Sequence, residues 1–93
     1  MTDVGISELT TTNLLNLFPN PSNGNFTAEF DQRGMKATME VFNVTGQIVY
    51  AQQLPENGIS KTDFSLDTDN GIYLLRITLG DGTTFSQRMV IEQ

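Results

Sequence analysis

The chain has 93 residues, 38% apolar and 17% charged, enough for one small core. Five basic residues against eleven acidic ones give a net charge of −6, which excludes the basic footprint of a general nucleic-acid binder and sets the chain against an anionic membrane surface. Cysteine, histidine and tryptophan are absent, so disulfides, thiolate metal ligands and imidazole bases are excluded. The opening MTDVGISELTTT has neither the basic nor the apolar segment of a secretory signal. No apolar run approaches the ~20 residues of a membrane span, so membrane insertion is not expected. Residues 1–13 read as an added start and a linker remnant, and 14–93 as one domain.

From Leu14 onward, short apolar runs alternate with turn chemistry. Seven strands are predicted, with no capped helical stripe between them. The first is Leu14 to Phe18. The second, Asn25 to Phe30, puts Phe26, Ala28 and Phe30 on one face. The third, Ala37 to Val44, puts Ala37, Met39 and Val41 on one face but Phe42 and Val44 on the other, so a bulge or a change of sheet is expected at Val41-Phe42. Thr45-Gly46 predicts a tight hairpin into the fourth strand, Gln47 to Leu54. The fifth is Ile59 to Leu66. The sixth, Ile72 to Leu79, is apolar on both faces over much of its length and reads as a central strand. Gly80-Asp81-Gly82 then turns the chain into the seventh, Thr83 to Ile91. Successive hairpins imply an all-β, antiparallel, Ig-like β-sandwich.

The stretch LFPNPSNGNF asks for its own explanation. Pro19 and Pro21 each remove a backbone donor, so this segment cannot sit in the middle of a sheet. Ser22-Asn23-Gly24 has turn chemistry, and Asn and Gly both tolerate the left-handed region. The predicted result is a stiff corner that launches the second strand. A phosphate loop would need richer glycine spacing and a following helix, and neither is present. Asp67, Asp69 and Asn70 ahead of Gly71 resemble half a calcium loop, but lack its distal ligands and read as a solvated turn. No motif for a metal or a cofactor is found.

Four stretches in order resemble the type A C-terminal sorting domains of the type IX secretion system of Bacteroidetes. LFPNPSNGNFT resembles the family's opening, with an aromatic residue, Pro-Asn-Pro, a polar turn and Gly-x-Phe. MEVFNVTGQIVY resembles its strand, Asn-x-x-Gly turn and returning strand. LDTDNGIYLLRI carries the leucine, polar turn and Gly-Ile-Tyr, and TTFSQRMVIEQ the terminal strand with a basic residue ahead of a short apolar run. The resemblance covers residues 17 to 91.

It implies a small β-sandwich without catalytic activity, placed behind an N-terminal cargo that it directs through the outer-membrane translocon. In many members of that family a sortase-like protease then removes the domain and attaches the cargo to the cell surface. Relatives often end on a basic residue, whereas this chain ends Glu92-Gln93; Arg88 is the basic position that matches. The resemblance also implies that the terminal strand, Arg88, Met89, Val90 and Ile91, contains the signal, with its edge open to partner pairing. The exposed turns at Gly46 and Gly71 are further candidates for the surface read by the machinery. Pro19, Asn20, Pro21, Gly24, Phe26 and Tyr73 read as structural, the last two as core. Weak self-pairing through open strand edges is also compatible with so small a β domain. The rival reading is an Ig-like accessory module binding carbohydrate or adhesion partners, but two tyrosines and no tryptophan poorly supply an aromatic platform.

Overall fold

The computed structural model describes residues 15–93. The expected added start and linker, and Leu14 at the head of the first strand, lie outside the described residues. Seven strands follow: β1 (Leu15–Phe18), β2 (Asn25–Asp31), β3 (Ala37–Phe42), β4 (Ile48–Leu54), β5 (Ile59–Ser65), β6 (Gly71–Leu79) and β7 (Thr84–Ile91). They form a three-stranded sheet, β1-β2-β5, and a four-stranded sheet, β4-β3-β6-β7, with every strand pair antiparallel. This is the expected Ig-like sandwich, and β6 is a central strand.

Period-two alternation makes the core. Phe26, Ala28 and Phe30 on β2 face Met39 and Val41 on β3, Leu75 and Ile77 on β6, and Met89 and Ile91 on β7, all buried. Phe64 of β5 stacks on Phe26 of its own sheet and on Tyr50 of the other, with centroids 5.7 Å and 5.4 Å apart. That aromatic stack joins the two layers, a geometry that adds to simple area burial.

A bulge lies at the expected place, but on the partner strand β4; β3 itself alternates unbroken, with Phe42 turned outward. Val41 pairs with Tyr50 but Phe42 pairs with Ile48, so Val49 is the extra residue. β3 nevertheless stops at Phe42, short of the predicted Val44. Asn43 ends it because its side-chain oxygen accepts the Thr45 and Gln47 N–H groups at 3.1 Å and 3.0 Å, a local alternative to the ladder. Gly46 N–H then donates to the Asn43 carbonyl and Asn43 N–H to Gln47. The β6–β7 turn repeats this pattern, with Gly82 N–H donating to Leu79 and Leu79 N–H to Thr83. There the Asp81 carboxylate accepts the Thr83 N–H at 2.9 Å, and hydrogen bonds from the Thr83 backbone and then its hydroxyl hold that carboxyl below the usual carboxylate range.

The connections β2–β3, β4–β5 and β5–β6 cross between sheets. Gln32 ties two of them together. Its buried amide donates to the Met35 and Pro55 carbonyls at 2.8 Å and 2.9 Å, while its oxygen accepts the Ser60 hydroxyl. A buried amide satisfied on both ends pins both corners to β5. At the other crossing, Tyr73 near the start of β6 donates its hydroxyl to the Asp69 carbonyl at 2.7 Å, the tyrosine corner of Ig-like sandwiches.

Candidate recognition surface

Antiparallel register brings the four motif stretches to one end of the four-stranded sheet. β3 ends at Phe42 opposite Leu74, so the Asn43–Gln47 hairpin projects beyond the first residues of β6. Gly71, the first of these, pairs with Ile91, the last residue of β7. Gly46 is exposed at the hairpin and Gly71 is half-buried.

The Pro-Asn-Pro corner completes this end. Both its X-Pro peptide bonds, Phe18–Pro19 and Asn20–Pro21, are cis. Leaving β1, the chain crosses to the second sheet and lies along β7. The Asn20 amide donates to the Arg88 carbonyl at 2.8 Å, and its oxygen accepts the Val90 N–H at 2.9 Å. Ser22 N–H donates to the Val90 carbonyl at 3.0 Å, and Glu92 N–H donates to the Ser22 carbonyl at 2.8 Å, forming a parallel bridge to Ile91. One asparagine side chain thus behaves as a strand residue would, followed by one real strand residue.

This corrects the expectation of an open edge at Arg88 to Ile91: its outward backbone groups are already taken by the chain's own corner. Met89 and Ile91 face the core, 0% and 1% exposed, so in the folded domain neither side chain can touch a partner. Arg88 and Val90, at alternate positions, face outward. Asn20→Ala should therefore cost about 1–2 kcal/mol for two lost hydrogen bonds. It should also speed amide exchange at Val90 while leaving the Leu75 N–H in the sheet centre slow. Unchanged protection at Val90 would show that the asparagine is not what covers the edge.

The terminal turns and β7 are joined by residues that pattern reasoning passed over. On the outer face of this sheet, Ile48, Phe42, Leu74 and Arg88 form one cross-strand row, with Ile72 and Val90 beside it. Ile48, Ile72 and Leu74 are 49%, 48% and 42% exposed. The signal was the run of apolar residues on both faces of β6. It marks a central strand, but here it also marks an apolar outer face that nothing among the described residues covers. Toward the middle of the face the next row is polar: Glu40 and Arg76 pair at 3.0 Å, and the Arg76 guanidinium sits over Phe42, 4.7 Å from its centroid. The last row is Gln53, Thr38, Thr78 and Thr84. Among large hydrophobic side chains exposed in the described residues, Phe18 is the one aromatic, so no flat aromatic platform forms.

Comparison with known families decides what kind of domain this is. The secretion system C-terminal sorting domain matches residues 16–92. The chain belongs to that family. A search of curated proteins gave no match. The sorting domain is a C-terminal signal of type IX secretion and implies export across the outer membrane, toward the cell surface or extracellular space. As a signal it is a targeting module and not a catalyst, and its function implies contact with the type IX machinery. The match takes in both the Pro-Asn-Pro corner and β7, the two segments that the fold seats side by side.

Proposed function

We propose that this sorting domain is read in its folded state, at the end of the four-stranded sheet where its motifs meet. The accessible members of that surface are Gly46, Gly71, Arg88 and Val90; Met89 and Ile91 serve by holding β7 in place. The domain, residues 14–93, follows a cargo, and residues 1–13 serve as linker. A sortase-like protease cuts in or before that linker, and the cargo is attached to the cell surface. The observation that carries this reading is convergence: segments as far apart in sequence as Asn20 and Val90 are hydrogen-bonded to each other. The test is to place residues 2–93 behind an export signal and a fluorescent reporter in a host with a type IX system. Reporter should appear outside the cell, and should stay in the periplasm in a strain lacking the translocon. Periplasmic retention in both strains would overturn the reading.

A further inference from the structure

We infer that the outer face of the four-stranded sheet docks a protein partner whose contact surface is apolar and carries a carboxylate. This rests on the sorting reading and assigns a chemistry to the surface it uses.

The two outer faces of the sandwich differ sharply. On the three-stranded sheet the outward rows are mostly polar. Asn16, Glu29 and Lys61 form one row, Phe18, Thr27 and Asp63 another, and Asn25 and Ser65 a third. Thr27 donates to Asp63 at 2.7 Å and Ser65 to Asn25 at 2.6 Å, so these groups satisfy one another. Phe18 and Ile59, its exposed apolar residues, sit apart on opposite edge strands, and single exposed apolar side chains need no special explanation. On the four-stranded sheet Phe42, Ile48, Ile72, Leu74 and Val90 are contiguous. Cross-strand neighbours on one face lie about 4.5–5.5 Å apart, so these side chains form one patch. Contiguous apolar patches rimmed by polar residues mark interaction sites.

Charge selects the occupant. The outward strand positions of this face carry two cations, Arg76 and Arg88, against one anion, Glu40, while the chain as a whole is at −6. Arg76 is already engaged by Glu40 and Phe42. Arg88 makes no salt bridge among the described residues, and it stands in the same row as Leu74 and Phe42. An apolar surface bordered by an unpaired guanidinium is complementary to an apolar surface bordered by a carboxylate. A second copy fits less well, because the one carboxylate at the outward strand positions of this face, Glu40, is already paired with Arg76 and is not free to meet the other copy's Arg88.

The experiment uses the reporter fusion and the purified chain. Ile72→Thr with Leu74→Thr removes apolar area and places a β-branched strand former at both positions. Arg88→Glu reverses the charge, and Lys61→Glu on the other sheet is the control. Each of the first two changes should cut export by about tenfold or more, as the loss of central interface residues does. Lys61→Glu should export like the unsubstituted fusion, and all melting temperatures should stay within a few degrees. Undiminished export of the double variant would overturn the docking face while leaving the sorting reading intact. Undiminished export of Arg88→Glu alone would overturn the carboxylate-bearing partner. If the unsubstituted fusion is not exported, the sorting reading fails and this inference with it. Sedimentation equilibrium showing a dimer that the double variant abolishes would assign the face to a second copy. Co-flotation with phosphatidylglycerol vesicles, lost in Arg88→Glu, would assign it to a lipid surface. Either result would overturn the proposal.

Discussion

A chain ending at Gln87 should not fold. Removing residues 88–93 takes away Met89 and Ile91, both almost wholly buried. Truncating one buried side chain of that size costs about 2–5 kcal/mol. Two such losses approach the whole stability of a small domain, about 5–15 kcal/mol. The deletion also removes the partners of Gly71 to Leu74 on β6, and the groups that seat Asn20 and Ser22. Far-UV circular dichroism and amide proton dispersion should both show an unfolded chain. A cooperative melting transition in the truncated chain would overturn this. The outcome bears directly on function: lost export after deleting the last strand reports lost folding before it reports a lost signal. Point changes at outward positions separate the two. Met89→Leu, which conserves volume and core character, should keep the fold at a cost below about 1.5 kcal/mol.

Gly24→Ala should be the most damaging glycine-to-alanine change among the described glycines, at about 3 kcal/mol. Gly24 lies at φ +117°, and a Cβ there would stand 2.7 Å from the Leu66 carbonyl oxygen. That oxygen belongs to backbone held next to Gly24, since the Leu66 N–H donates to the Gly24 carbonyl at 2.8 Å. The clash therefore has no flexible side chain to absorb it, and relief means parting β2 from the end of β5. Gly46→Ala is the matched comparison. Gly46 is at φ +86° with no heavy atom within 4 Å of the added carbon, so it carries backbone strain alone. That change should cost about 1 kcal/mol. Urea unfolding midpoints of the two variants check the difference. At about 4–8 °C per kcal/mol for a domain of this size, the melting temperatures should also separate clearly. Equal effects would mean that the close approach of Leu66 is not the reason for glycine at position 24.

Much of the sandwich is legible before any coordinates. The period-two pattern of Phe26, Ala28 and Phe30 has one stable solution, a half-buried strand. The double-sided run from Ile72 to Leu75 fits only a central one. The change of apolar parity at Val41-Phe42 marks the point where β3 turns a large side chain outward, because adjacent strand residues cannot both point inward; the bulge beside it lies on β4, where no parity break announces it. Gly46 and Gly82 announce their turns through local backbone chemistry. These are short-range facts, set by sterics and hydrophobicity within a few residues.

What alternation cannot say is who lies beside whom at long range. Arg88 to Ile91 looks like an open edge from sequence, because nothing local shows that an asparagine side chain some seventy residues earlier will pair with it. The Gln32 knot is hidden for the same reason: its amide is satisfied by Met35, Pro55 and Ser60, which only the sheet crossings bring together. The docking face is hidden more subtly. Ile72 and Leu74 are plainly apolar, but whether an apolar outward face is covered depends on a neighbouring layer. The sequence by itself determined the strands, the turns, the absence of imidazole and thiol chemistry, and the family. Only the tertiary structure decided that β7 is sealed by the Pro-Asn-Pro corner, that Met89 and Ile91 are core while Arg88 and Val90 are surface, and that one sheet face is left apolar. Local pattern sets which way each side chain points, whereas burial depends on contacts between segments that sequence separates and folding joins.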